Sequence, residues 1–297
     1  MKKISKNVLF SFRLSTFVLR FSFFVFLFPS LIFSQATYTQ QDVDICNSKF
    51  KLAIDAELTQ KPINEIIIEI GKSFIGTDYV ANTLEKGEQE SVVVNLAGLD
   101  CYTFFESTLA LSRCVKSGKT KFEDYLKEIE NLRYRGGKMN DYPSRLHYFT
   151  DWLFDINKRE IGKDITKSIG GELIKKKINF MSTHTDSYKR LTENPMFVDQ
   201  IAMTEREISG RDYYYIPQAK IKDVESKIQS GDIIGITTNV EGLDIAHTGI
   251  AIRMEDGRIH FMHAPIVGKK VQITEKPLSD YIAGNKKQNG IMVLRAL

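Results

Sequence analysis

The chain has 297 residues, 42% hydrophobic and 26% charged, with a formal net charge of +4. That basic excess is misleading. Residues 1–34 hold Lys2, Lys3, Lys6, Arg13 and Arg20 and no acidic residue, so without these five charges +4 becomes −1 and no footprint for nucleic acid or a membrane surface remains.

The apolar run Phe21 to Phe33 follows those basic residues, and Ser34 or Ala36 supplies a small residue for cleavage. This is the pattern of a secretory leader, with an apolar core shorter than the ~20 residues a spanning helix needs. The expectation is an exported protein, periplasmic or secreted, with no stable membrane association after cleavage. About 263 residues remain, 35–297, enough for one large domain or a core with a sizeable insertion. Export makes the three cysteines, Cys46, Cys101 and Cys114, an odd set in an oxidising compartment.

After a polar linker, Asp42 to Leu58 reads as helical. A firmer helix follows Pro62, with Ile63, Ile66, Ile67, Ile70 and Phe74 at helical spacing and Gly76 just past its end. Ser91 to Asn95 reads as a short strand leading into Leu99-Asp100-Cys101. Asp100 is a good helix cap, and Phe104, Phe105, Leu109, Leu111 and Val115 make the following helix apolar on most sides. Cys101 then occupies the first helical position, where free N–H groups and the macrodipole favour an anion. A thiolate there would have a lowered pKa, which suits a nucleophile; the alternative is a small buried cysteine. Cys101 and Cys114 lie roughly 20 Å apart along this helix and cannot pair. Cys46 and Cys114 are left as a disulfide or as two buried thiols.

Residues 116–229 are charged and read as helix-rich. Phe122, Tyr125, Leu126, Ile129 and Leu132 form one stripe, stopped by Gly136-Gly137. Pro143 is expected to open a helix with Leu146, Phe149, Leu153 and Ile156 inward. Ile174 to Met181 reads as a strand, short helices begin at Ser187 and after Pro195, and Tyr213 to Pro217 follows. His184 sits in a polar run and reads as a loop residue or a cleft-lining one. From Gly231 the pattern is β: Gly231 to Thr237, a hairpin of His247 to Met254 with Arg258 to Ala264, and strands near Val271 to Thr274 and Ile291 to Arg295. A helix bearing cysteine ahead of an antiparallel sheet bearing histidine is an α+β arrangement.

A cysteine nucleophile needs a base, and the base needs an orienting group. A three-residue loop, Glu255-Asp256-Gly257, with Gly257 left-handed, pairs Met254 with Arg258. His263 then lies opposite Gly249, one diagonal step from His247 on the same face, and His260 points away. On this reading the small residues Gly249 and Ala251, on the His247 face, admit the Cys101 helix. Thr248, Ile250 and Ile252 are ordinary core. The alternative is two unremarkable strand histidines. No C-x-x-C or H-x-x-x-H spacing points to zinc, and no cofactor is expected.

Leu99-Asp100-Cys101, Gly231-Asp232-Ile233-Ile234, Ala246-His247-Thr248-Gly249-Ile250-Ala251-Ile252 and His263-Ala264 together resemble the NlpC-like, papain-related cell-wall cysteine hydrolases. Arg133-Tyr134-Arg135-Gly136-Gly137, Tyr142-Pro143-Ser144-Arg145-Leu146-His147-Tyr148 and Asp151-Trp152 resemble its N-acetylmuramoyl-L-alanine amidase-like branch. The resemblance runs from about Ile63 to residue 297. It implies a papain-like core with a large, mostly helical insertion at about 116–229. It also implies a Cys101-His247-His263 triad acting on muropeptides, at the amide between N-acetylmuramic acid and L-alanine, with the anhydro form of the sugar as a preference that only the resemblance suggests. Arg135 and Arg145 are then expected to clamp substrate carboxylates, with Gly136, Tyr142, Ser144, His147 and Tyr148 facing sugar or peptide. The other reading of the two arginines is that they cap helix ends or pair with Asp141 and Asp151. The neighbouring activity is stem-peptide cleavage after D-glutamate, and the non-enzymatic alternative is a glycan- or peptide-binding module.

Overall fold

The computed structural model describes residues 36–85 and 87–297, so the expected leader, residues 1–34, lies outside the described residues. Thr39 starts helix α1 (Gln40–Asp55) with a reciprocal cap, its hydroxyl accepting from Asp42 N while the Asp42 carboxylate accepts from Thr39 N at 2.8 Å. The other Asp42 oxygen accepts from Leu96 N at 2.7 Å, fixing the approach to Cys101. Helix α2 (Ile63–Lys72) follows Pro62, and α3 runs Cys101–Lys116. Phe104, Phe105, Leu109, Leu111 and Val115 are all buried on α3, as its apolar pattern requires. One acid lies among them. Glu106 is fully buried and is paired with Arg133 of α4 (Phe122–Arg133), whose Nε stands 3.1 Å from its carboxylate.

Two short parallel pairs flank the start of α3. Ala36–Thr37 (β1) pairs with Val92–Val93 (β3), and Asp78–Tyr79 (β2) pairs with Gly98–Leu99 (β4). The main sheet is antiparallel. It contains Gly162–Asp164 (β5), Glu172–Ile174 (β6), Tyr213–Pro217 (β7), Ile233–Thr238 (β8), Ile245–Arg253 (β9), Ile259–His263 (β10), Gln272–Ile273 (β11) and Gln288–Ala296 (β12). The order is β11-β10-β9-β8-β12-β7-β6, with β5 also on β12. Helices and sheet are thus both present in quantity, an α+β composition. Helix α3 packs on β9, and Phe104, Phe105 and Leu109 share a core with Ile250 and Ile252.

The middle of the chain departs from its sequence reading in three places. Pro143 does not open a long helix: it lies in a single 3-10 turn, Tyr142–Ser144, the chain extends at Arg145, and α5 begins only at Phe149 (Phe149–Lys158). Ile174 ends β6 instead of starting a strand, and Phe180–Thr183 is a short helix. Residues 116–229 also contribute β5, β6 and β7 to the main sheet, alongside α4, α5 and α6 (Pro195–Gly210). Tyr213-Tyr214-Tyr215 pairs with β6 while Ile216 and Pro217 pair with β12, so a stretch set in charged sequence becomes sheet.

Candidate active site

Asp100 caps α3 as its sequence position suggests. Its carboxylate accepts from Thr103 N at 2.7 Å, and Thr103 Oγ1 accepts from Asp100 N at 2.9 Å. Cys101 is the first helical residue and is half-buried. Its thiol differs from expectation. Burial pushes the pKa up to about 11, and the Asp100 carboxylate adds to the rise. The Thr248 hydroxyl and N–H and the N–H of Cys101 itself pull the other way without winning. A helix terminus contributes roughly 0.3–1 kcal/mol to a surface anion. Here the loss of water around a thiolate, with a carboxylate next to it, outweighs that help. The resting group is a thiol.

Cys46 and Cys114 are free and buried, and burial raises both thiols further than Cys101. Iodoacetamide should therefore label Cys101 first, with a rate still climbing above pH 9 and no plateau at mildly acidic pH. Labelling of Cys114 ahead of Cys101 in the native protein would refute this assignment of environments. The physical basis is that the thiolate alone reacts.

The β9–β10 hairpin carries the two candidate histidines. Met254 N donates to Arg258 O at 3.0 Å, and Gly257 has φ +76°. The register runs Ile259 with Arg253 through Met262 with Ile250, so His263 lies opposite Gly249. His247 Nε2 and His263 Nδ1 are 2.7 Å apart. His260 turns away, one ring nitrogen 2.8 Å from Thr274 O and the other 3.0 Å from the Asp256 carboxylate. Burial holds His247 down at about 4; burial, and then the charge of His247, hold His263 at about 3. Both rings are neutral near pH 7. With Nε2 of His247 engaged by His263, Nδ1 is the nitrogen left to accept a proton.

The face of β9 that meets α3 is not the expected one. Ile250 and Ile252 share the core of α3, and Thr248 faces the thiol. Gly249 and Ala251 lie instead on the side of Phe261. A Cβ on Gly249 would stand 2.5 Å from Met262 O and 2.7 Å from the Phe261 ring, so this glycine admits β10, not the helix. The thiol therefore reaches β9 at Thr248, the residue after His247. Two tyrosines missed in the sequence complete the surroundings. Burial, and then the charge of a Cys101 thiolate, push up the phenols of Tyr79, next to β4, and Tyr281, on α7 (Leu278–Ala283). The Tyr281 ring also lies 5.3 Å from that of His263. Neither carries a local sequence signal, because each arrives through the tertiary fold.

The two middle motifs lie side by side, and most of their polar groups are occupied. Leu146 N donates to Arg133 O at 2.9 Å, and Tyr102 OH donates to Leu146 O at 3.3 Å, tying this pair of segments to the start of α3. Arg145 is buried. Its Nη1 is 2.6 Å from Glu85, its Nε and Nη2 are 3.0 and 2.8 Å from Glu90, and Nη2 also donates to Leu84 O. A guanidinium so engaged has no free edge for a substrate carboxylate, so its placement is that of a structural ion pair with Glu85 and Glu90, not with Asp141 or Asp151. Arg135 is 34% exposed and pairs with buried Asp151 at 2.6 Å; Arg211 takes the other oxygen at 2.7 Å.

Gly136 is exposed at φ +65°, its N–H donating to Asp155. Ser144 Oγ accepts from Asn140 N and Asp141 N, closing its own turn. Tyr142 is fully buried against Phe197. Tyr148 is buried too, its hydroxyl donating to Glu205 and accepting from Met181 N. His147 donates to Tyr142 O at 2.9 Å, and burial with Arg145 beside it lowers its pKa to about 3. His184 is exposed and stacks on Phe180. Among the described residues no group of three or more His, Cys, Asp or Glu is placed to hold a metal ion.

Residues 69–291 match the family described as AmiA-like: N-acetylmuramoyl-L-alanine amidase-like. No curated protein sequence matches. A crystal structure of an N-acetylmuramoyl-L-alanine amidase from Bacteroides uniformis ATCC 8492 is 35% identical, covering 79% of this chain and 99% of that one, with a TM-score of 0.76. A Bacteroides fragilis structure, described as a candidate xylanase, is 37% identical over 76% of this chain and 98% of that one, with a TM-score of 0.72. A Legionella pneumophila protein, 22% identical over 87% of this chain and 95% of that one, shares the fold with a TM-score of 0.63. Matched over most of its length, the chain belongs to the AmiA-like, N-acetylmuramoyl-L-alanine amidase-like family.

Proposed function

We propose that the protein is a cysteine-dependent hydrolase of peptidoglycan fragments, with an NlpC-type, papain-related site. It cuts the amide between the lactyl group of N-acetylmuramic acid and L-alanine of the stem peptide. The observation that carries this reading is the histidine pair, His247 Nε2 and His263 Nδ1 at 2.7 Å, standing next to the residue that faces the Cys101 thiol. His247 Nδ1 takes the thiol proton as Sγ attacks the carbonyl carbon, and the carbonyl electron pair moves onto oxygen. The backbone N–H of Cys101 at its helix start is the donor aimed at that oxyanion. Collapse expels the L-alanine amine, which takes the proton from His247, and leaves a thioester. Water, deprotonated by His247, then releases the sugar acid and the free thiol.

Thiol and imidazole start neutral, so charge separates only as attack proceeds, with His263 accepting the Nε2–H of the forming imidazolium. Arg135 and Arg211 share the carboxylate of Asp151, and Arg211 also stands 3.9 Å from Glu207. Arg135, the more exposed of the two arginines, is the one offered to a stem-peptide carboxylate. The basic and then apolar leader, 1–34, supports export to the compartment where this substrate lies. Among the described residues no helix is long and apolar enough to cross a membrane.

A glycosidase reading, suggested by the name of one neighbour, needs two carboxylates flanking the scissile bond. The groups gathered here are a thiol and two imidazoles. Mass analysis of a defined muropeptide digest separates the cases. Free sugar plus intact stem peptide is the expected result. A cut peptide would make the protein an endopeptidase, and no change would leave a glycan- or peptide-binding module. Running the anhydro sugar beside the ordinary one reads the preference for sugar form.

A further inference from the structure

We propose that Tyr281 is a positioning residue: its ring is the partner of the buried Nε2–H of His263, and it thereby fixes the tautomers of the histidine pair. The inference rests on the reading of His247 as base. For His247 Nδ1 to accept the thiol proton, the proton of the neutral ring must sit on Nε2 and point at His263 Nδ1. His263 then accepts through Nδ1 and carries its own proton on Nε2. That nitrogen is buried, on a side chain 1% exposed, and has no hydrogen-bond partner among the described residues. In the opposite arrangement that nitrogen would be a bare acceptor, which an aromatic face cannot satisfy. His263 would donate from Nδ1 to His247 Nε2, and His247 would hold its proton on Nδ1, the nitrogen required to be bare. The pair is a two-state element, and the group standing against Nε2 decides between the states.

Three rings surround His263. His247, at 5.0 Å, already takes Nδ1. Phe261, at 4.9 Å and 41°, is tilted and offers no face to an edge. Tyr281, at 5.3 Å and 80°, stands nearly perpendicular, the geometry in which an imidazole N–H points into an aromatic face. The helix that carries Tyr281 is held in place, with Gln218 Nε2 donating to Ile282 O at 2.8 Å. The ring, not the hydroxyl, does this work, so phenylalanine should replace it and leucine should not.

Long-range imidazole nitrogen–proton spectra of the folded, isotope-labelled full chain read the tautomers directly, without any substrate. In the wild type both His247 and His263 should be protonated on Nε2. Tyr281→Phe should keep that pattern with kcat/KM within about twofold of wild type. Tyr281→Leu should show the second tautomer and lose about tenfold in kcat with KM unchanged. A wild-type His263 protonated on Nδ1 would overturn the inference. So would a Tyr281→Leu protein equal to wild type, or a Tyr281→Phe protein as impaired as the leucine variant, since the hydroxyl would then be the active part. If Tyr281→Leu does not fold, the wild-type spectrum decides. If the protein cleaves no muropeptide, the hydrolase reading fails, while the spectra still decide the tautomer assignment.

Discussion

Cys101→Ala should give a folded protein with no measurable hydrolysis, a loss on the order of 10⁴–10⁶-fold in kcat, as removal of a nucleophile costs elsewhere. The oxyanion donor and the substrate-binding surface survive the substitution, yet neither can form the acyl intermediate. The melting temperature should hardly move. Cys101 is only half-buried, and its side chain meets Thr248 by weak sulfur contacts. Cys101→Ser should be nearly as inactive, because a neutral imidazole held near 4 is too weak a base to withdraw a hydroxyl proton. Product release from a defined muropeptide, read by mass, is the measurement. An active alanine variant would remove Cys101 from the mechanism.

Arg145→Ala should act on stability instead, lowering the free energy of unfolding by about 3–5 kcal/mol. The reason is the partner left behind. The Glu90 side chain is only 5% exposed, and with Arg145 gone it keeps Tyr134 OH at 2.7 Å but loses its counter-charge. Glu85 and the carbonyl of Leu84 lose their donor at the same time, so the segment before β3 comes loose. In a chain of this size the melting temperature should fall by roughly ten degrees. The folded fraction should keep its kcat/KM. Arg145→Lys should recover part of the loss, since an ammonium reaches one carboxylate where the planar fork reaches two. A variant with wild-type melting and a collapsed kcat/KM would reinstate Arg145 as a substrate clamp.

The difference between these two residues shows what a linear sequence carries. Asp100, Cys101 and Thr103 lie within four positions, so the cap and the helix start are local facts. The hairpin is local as well: Gly257 can take positive φ, the loop length follows, and the pairing of His263 opposite Gly249 follows from that. Arg145 was opaque because its partners, Glu85 and Glu90, stand more than fifty positions earlier and no periodicity links them. The state of the thiol is hidden for a related reason. The helix-terminus effect is visible in sequence, but the desolvation that overrides it depends on Thr248 and on the walls built by Tyr79 and Tyr281. Alternation along β9 told which residues share a face, not which face meets α3.

The place of β12 in the sheet has a consequence for how the protein is made. Residues 288–296 lie between β8 and β7 and also hold β5, so three partners synthesised earlier wait for one strand. Leu294 pairs with both Ile233 and Asp164. Until β12 is in place the sheet has a gap at its centre, and β8 and β7 expose the edges that β12 will cover. Folding of the emerging chain should therefore stall at a helical, sheet-incomplete stage, and the whole domain should close late and in one step. A nascent chain arrested before residue 288 should stay protease-sensitive throughout the sheet, while one released after residue 296 becomes resistant all at once.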